Sequence, residues 1–415
     1  MLNHVLPPDT QAILLLCASF GQSRQVEPQP LTLSEYNSLA EWLLQQEMRP
    51  AHLLESTVKE QLKQLHISKL DPERLLALLA RGAMLSLAVE KWTSRGLWIL
   101  GRSDAQYPKL LKQRLKHSAP AILYGVGKIE LLSQGGLAIV GSRDVDEELL
   151  AYTRKVAETS ALDGMQVISG AARGVDQEAM LSILNAGGTS VGVLADSLTK
   201  AAVNSKYRSS LKEGRLALIS SYDPDAGFNT GNAMGRNKYI YALADYALVV
   251  NSSFGQGGTW AGAVEALSRL KEIPVFVRMA PTASEGNRQL HNQGAKPFPP
   301  EPWNGSLNKL LAKASSLVES IDTNIIQLPP EKSQDTQSHE LSSTPQNIYE
   351  AVLPFILGHL QQPKDAKTLA QCLEVQPSQM QEWLKKAVQE GKVRKTNRPV
   401  AYIANQLVTQ LSLLS

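Results

Sequence analysis

The sequence lacks the features that mark several functional classes. Its 415 residues include two cysteines, Cys17 and Cys372, far apart in the chain. That excludes a disulfide framework and gives no zinc-ligand spacing. Both thiols read as small buried apolar groups in a reducing compartment. Aromatic residues make up 6% and the net charge is +3, so a polyanionic partner must be met by a local patch, not an overall field. No apolar run reaches membrane-span length, so no membrane partner is expected. No Lys or Arg precedes Ala12–Cys17, and Pro7-Pro8-Asp9 stands just before it. It reads as a buried helix with Asp9 at its N-cap, and the expected location is cytoplasmic. No Gly-x-x-x-x-Gly-Lys-Ser/Thr run is present, which argues against ATP hydrolysis. The histidines form no cluster; no metal and no cofactor is expected.

What the sequence does have is glycine at the ends of apolar runs. Four such loops fall between Gly136 and Leu270: Val140-Gly141-Ser142-Arg143, Ser169-Gly170-Ala171-Ala172-Arg173-Gly174, Gly235-Arg236-Asn237-Lys238 and Phe254-Gly255-Gln256-Gly257-Gly258-Thr259. Open parallel sheets bind ligands outside the carboxyl ends of their strands. Glycine lets backbone amides approach a phosphate there, and a helix N-terminus adds favourable dipole charge. The candidate DNA- or phosphate-binding set is therefore Gly141, Ser142, Arg143, Ser169, Gly170, Arg173, Gly174, Arg236, Asn237, Lys238, Gly257, Gly258 and Thr259. Arg143 follows a strand-ending glycine, so its guanidinium can fork onto a phosphate; the alternative is an ion pair with Asp144 or Asp176. Asp176 reads as a helix N-cap rather than a catalytic acid. Phe228, Tyr239 and Trp260 are the aromatics available to stack a base, if exposed.

The fold class this pattern gives is α/β, a Rossmann-like parallel sheet between an N-terminal helical domain and a C-terminal winged-helix domain. Strands are expected at 137–141, 166–169, 190–194, 216–221, 247–251 and 274–278, and helices at 147–162, 176–186, 201–213, 233–244 and 260–271. The domain boundaries read as 1–95, 96–327, a linker at 328–345 and 346–405. In the first segment Thr32 with Glu35 forms a capping box, Val58–Leu65 reads as a helix, Asp71-Pro72 opens another and Gly82 ends it. The linker is too polar to fold. In the tail, Pro377–Gln389 reads as a recognition helix and Lys392–Tyr402 as a wing. Between Lys364 and Arg398 eight Lys or Arg stand against four Asp or Glu. Lys385, Lys386, Arg394, Lys395 and Arg398 are thus candidates for secondary DNA contacts, the alternative being a solvated or protein-docking face.

These motifs resemble the DprA/Smf family of DNA-processing proteins. The matching residues are Val140-Gly141-Ser142-Arg143, Ser169–Asp176, Arg236-Asn237-Lys238 before a helix, Gly286–Ala295, and upstream Tyr107-Pro108 with Leu123-Tyr124-Gly125. The resemblance implies single-stranded DNA bound in a basic Rossmann-domain pocket, a recombinase partner during transformation or a related process, and no catalytic turnover. It also implies a homodimer formed through the Rossmann domain, for which Ile273–Val277 with flanking helices is the expected surface. Two departures, Leu194–Lys200 and Gly257–Ala261, point to a diverged paralogue, with phage defence as one role. Arg236, Lys238 and Gly257-Gly258-Thr259 also resemble cytokinin-activating phosphoribohydrolases. The alternative function is thus a nucleotide-binding sensor or N-glycosidase. That chemistry needs a carboxylate beside the sugar, and the next acid after Thr259 is Glu265, two helical turns on.

Overall fold

The computed structural model describes residues 6–21, 28–55, 57–58, 62, 70–303, 305–316, 348–360, 363–372, 375, 377–397 and 400–404. They belong to two compact units, Met1–Ile326 and Gln327–Ser415.

The first unit is built on one nine-stranded sheet: β1 Trp98–Gly101, β2 Ile122–Gly127, β3 Leu137–Val140, β4 Val167–Ser169, β5 Ser190–Val193, β6 Leu216–Ser220, β7 Tyr246–Val249, β8 Val275–Val277 and β9 Lys296–Pro297. Their spatial order is β1-β2-β6-β5-β4-β3-β7-β8-β9. From β6 to β9 neighbouring strands are parallel, with Leu137 opposite Val167 on one side and Tyr246 on the other. β1 and β2 extend the β6 edge antiparallel. The runs Leu-Ala-Ile-Val and Ala-Leu-Val suit strands covered on both faces. Leu137 and Ile139 enter one apolar layer with Val156, Ala179 and Ile183, while Ala138 and Val140 enter the other with Ile240, Leu243 and Ala263. The N-terminal helix Pro8–Cys17 packs on β1 and β2 and shares the first of these layers.

Several local expectations are corrected. Asp9 is not a cap: the helix begins at Pro8 behind Pro7, and Asp9, 5% exposed, pairs with Arg49 and accepts from the Ala51 amide at 2.9 Å. Gly82 opens the helix Gly82–Thr93; the preceding one ends at Leu79. The helix expected over 201–213 is two, Leu198–Ala202 and Ser205–Lys212, because the Asn204 side chain caps a fresh start at the Lys206 amide. Within the expected dimer surface the strand Ile273–Val277 is itself largely buried, which leaves its flanking helices. Ile273, Val275, Phe276 and Val277 are all buried, and β8 lies between β7 and β9. The capping box at Thr32 and Glu35, and the Asp71 cap, stand as expected. The expected linker 328–345, Arg398, and the helix Val58–Leu65 apart from Val58 and Leu62 lie outside the described residues.

The second unit comprises helices Ile348–His359, Ala366–Cys372 and Pro377–Gln389 and a hairpin of β10 Val393–Asn397 with β11 Val400–Ala404. Ile356, Leu369, Met380, Leu384 and Val393 form its core. Lys385, Arg394 and Lys395 are exposed. Lys386 lies over the Tyr349 ring at 4.3 Å, and Tyr349 in turn donates to Glu390 at 2.9 Å.

Candidate functional site

The strand order reverses at β3. The chain runs outward through β4, β5 and β6, then returns to add β7, β8 and β9 on the opposite side. The loops after β3 and β7 diverge there, leaving the crevice where open α/β sheets take ligands. A cavity of ≈ 670 Å³ opens at this point, lined by Ser142, Arg143, Asp176, Phe228, Arg236, Asn237, Asn251, Gln256 and Gly257–Thr259. A second, of ≈ 340 Å³, adjoins it over Gly170, Ala171, Arg173 and Asp196. Arg143, Phe228, Ala233 and Arg236 line both, so the two are parts of one cleft.

The floor is a buried carboxylate. The helix Val175–Asn185 starts behind Gly174, so Asp176 is its second residue and not the expected cap. Asp176 is 7% exposed and accepts from the Gly141 amide at 3.2 Å and from the Gly170 amide. Two glycine amides expected to meet a phosphate therefore close on the protein itself. Burial pushes the Asp176 carboxyl up to about 6, against Arg236, the two amides and Arg143, which favour its charged form. Arg236 is 4% exposed, donates to the Val193 carbonyl, and keeps a buried Nε without a partner among the described residues. Burial lowers its pKa, while Asp176 and Asp196 raise it.

Glycine is required at two points. At Gly170 a Cβ would strike the Arg236 guanidinium and the Asp176 carboxylate. Gly174, at φ +88°, would bring a Cβ within 2.5 Å of the Ser142 carbonyl and 2.6 Å of the Arg143 carbonyl. The second loop thus presses directly on the backbone that carries Arg143. Ala171 beside it holds a left-handed φ of +53°, a strained state for a residue with a side chain.

Arg143 is exposed and lies over the Phe228 ring at 5.1 Å. Among the described residues it forms no ion pair. Asp144, its expected competitor, pairs with Arg173 instead, and both of those side chains are well exposed, so that pair is weak and exchangeable. Opposite stands the start of the helix Gly257–Arg269. Asp146, Asn229 and Ser284 cap their own helices with side-chain bonds, but Gln256 makes none. The first-turn amides of Gly257, Gly258 and Thr259 lack intrahelical partners and stand at the cavity wall. The walls are tied together: Thr259 Oγ1 donates to the Gly141 carbonyl at 2.9 Å, Asn237 Nδ2 to the Gly258 carbonyl at 2.8 Å, and Ser142 Oγ to the Asn251 carbonyl at 3.2 Å.

Other expected residues lie elsewhere. The helix expected from 233 begins at Thr230; Arg236 ends its second turn, Asn237 and Lys238 open its third, and the three fan around it. Arg236 points to the floor and Asn237 to the Gly258 wall. Lys238 lies over the Tyr239 ring near Glu265, outside the cleft lining; burial lowers its pKa and Glu265 raises it. Ser169 is fully buried and donates to the Ile139 carbonyl at 2.6 Å. Tyr239 is 5% exposed and belongs to the core, whereas Phe228 is 57% exposed. Asn251, Ser253 and Gln256 line the cavity without having been anticipated; their position just past a strand end was the available signal. Among the described residues no group of three His, Cys, Asp or Glu could hold a metal ion.

A parallel-dominated α/β sheet with a cleft at its switch point defines a Rossmann-type fold. The family follows from comparison: residues 98–302 match the model of DNA recombination-mediator protein A, which places that region in the DprA/Smf family. It is 32% identical over 181 residues to Protein Smf of Escherichia coli strain K12, covering 42% of this chain and 48% of that protein. It is 28% identical over 171 residues to Protein Smf of a Synechocystis strain, covering 40% and 42%. The chain thus spans about half the length of these curated relatives. The X-ray structure of DNA processing protein A from Streptococcus pneumoniae has the same fold, with a TM-score of 0.56 at 19% identity over 74% of this chain and 98% of that one.

Proposed function

We propose that this protein binds single-stranded DNA in the cleft between β3 and β7 as a DNA-processing protein. One observation carries the reading: Arg143, with no ion pair among the described residues, and the helix start Gly257–Thr259, with no side-chain cap, line the same cavity. A guanidinium and a helix start aimed at one point suit a phosphate. A cleft of ≈ 670 Å³ has room for a nucleotide unit and not for a duplex. The match to the recombination-mediator family supports DNA as the source of that phosphate. We read the C-terminal unit as a winged helix whose Lys385, Arg394 and Lys395 add secondary contacts; Lys386, engaged with Tyr349, is the weaker candidate. A recombinase and a second copy of this chain are the protein partners this reading expects, checked by co-sedimentation on a DNA strand and by analytical ultracentrifugation. Catalytic turnover is not part of it: Glu265, the acid an N-glycosidase would need, pairs with Arg269 at 3.3 Å.

The test is salt-titrated binding of single-stranded and duplex oligonucleotides of one sequence. The expected result is preference for the single strand, with log Kd changing by about 0.7 per phosphate contact against log salt. Equal affinity for duplex, or binding that ignores salt, refutes it. A melting shift with mononucleotides and none with oligonucleotides would make the protein a nucleotide sensor.

A further inference from the structure

We propose that Phe254 and Trp260 form a stacking platform for one unpaired base of the strand whose phosphate sits at the start of the Gly257 helix. The inference rests on the single-strand reading above and adds a base subsite to its phosphate seat. Phe254 is 53% exposed, in the turn between β7 and that helix. Ser253 and Gln256, on either side of it in sequence, line the cleft, so Phe254 stands at the rim. Its ring meets Trp260 edge to face, with 5.1 Å between centroids and 89° between planes. Trp260 is the helix's fourth residue and packs against the buried layer of Ala263 and Ala266, which anchors the pair.

The two rims differ. Phe228, on the other side, is already covered by Arg143 at 5.1 Å. Phe254 has a rigid aromatic neighbour and remains half open to water. A fixed, exposed ring face next to an anion seat suits a base attached to the phosphate, because one sugar separates the two. Every base has a π-face, so such a site tolerates any sequence. A protein side chain is a poorer occupant, since the adjoining groups, Arg143 and the free amides, call for an anion.

The experiment uses the full chain and two labelled oligomers of equal length, one of thymidine nucleotides and one with an abasic phosphodiester backbone. Phe254→Ala is expected to weaken thymidine-oligomer binding roughly five- to a hundredfold, with an unchanged salt slope. It should leave abasic-oligomer binding as in wild type, and Phe254→Trp, which keeps a ring face, should retain thymidine-oligomer affinity. Equal thymidine-oligomer binding by wild type and Phe254→Ala overturns the platform. So does an equal loss on both oligomers, since the ring would then be shaping the phosphate seat. Failure of wild type to bind either oligomer removes the single-strand reading itself, a result distinct from both.

Discussion

Arg143→Ala isolates the phosphate seat. The side chain is exposed and rests on Phe228 without an ion pair among the described residues, so its loss should leave the fold intact. A hydrogen bond to a charged group contributes about 1.5–3 kcal/mol, and exposure places Arg143 at the low end. About 1.5 kcal/mol is roughly a tenfold rise in Kd. Loss of one phosphate contact should also flatten the log–log salt slope by about 0.7. The assay is anisotropy with a single-stranded oligonucleotide across a salt series, on the full chain and on a chain ending at Leu328, with melting curves to confirm folding. The same tenfold loss is expected in both, because tail contacts act by raising effective concentration and do not build the seat. If Arg143→Ala changes neither affinity nor slope while the shortened chain stops binding, the C-terminal unit is the DNA-binding module and the cleft holds something else.

Three further outcomes follow from the same geometry. Gly174→Ala should destabilise the fold by about 1–3 kcal/mol in denaturant titration, and weaken DNA binding as well, because its Cβ meets the Ser142 and Arg143 carbonyls at a positive φ. Asp176 has its folded pKa raised to about 6 from 3.8, so its contribution to stability is fully present below about pH 4 and is lost as pH rises through 6. The stability difference between wild type and Asp176→Asn should move in favour of wild type by up to about 3 kcal/mol on going from pH 7 to pH 4; a difference constant with pH refutes it. Lys238→Ala should leave oligonucleotide affinity within about twofold, since Lys238 lies off the cleft; a tenfold loss would refute that placement.

The sheet was legible in the sequence because strands covered on both faces leave near-continuous apolar runs, and Leu137–Val140, Leu216–Ser220 and Val275–Val277 each stand within an expected strand. The cleft's position was legible for a related reason: glycines followed those runs, and ligands gather at strand ends. What the sequence left open was which groups in each loop remain free. Gly141, Gly170 and Arg143 share the same kind of loop, yet both glycine amides are taken by Asp176, 35 residues beyond the first. Arg143 rests on Phe228 and forms no ion pair among the described residues, while Asp144 beside it pairs with Arg173 from the second loop, an arrangement with no trace in local spacing. The adjacent Arg236, Asn237 and Lys238 diverge because all three lie inside the helix Thr230–Leu243, where successive residues turn about 100° apart. Helical phase therefore decides that Arg236 lies under the cleft and Lys238 outside it, and the motif alone does not give which face of the helix meets the cleft. Motif matching carries a residue's chemistry to the right neighbourhood, but whether its charge meets a ligand or another side chain depends on capping and pairing across strands far apart in the chain.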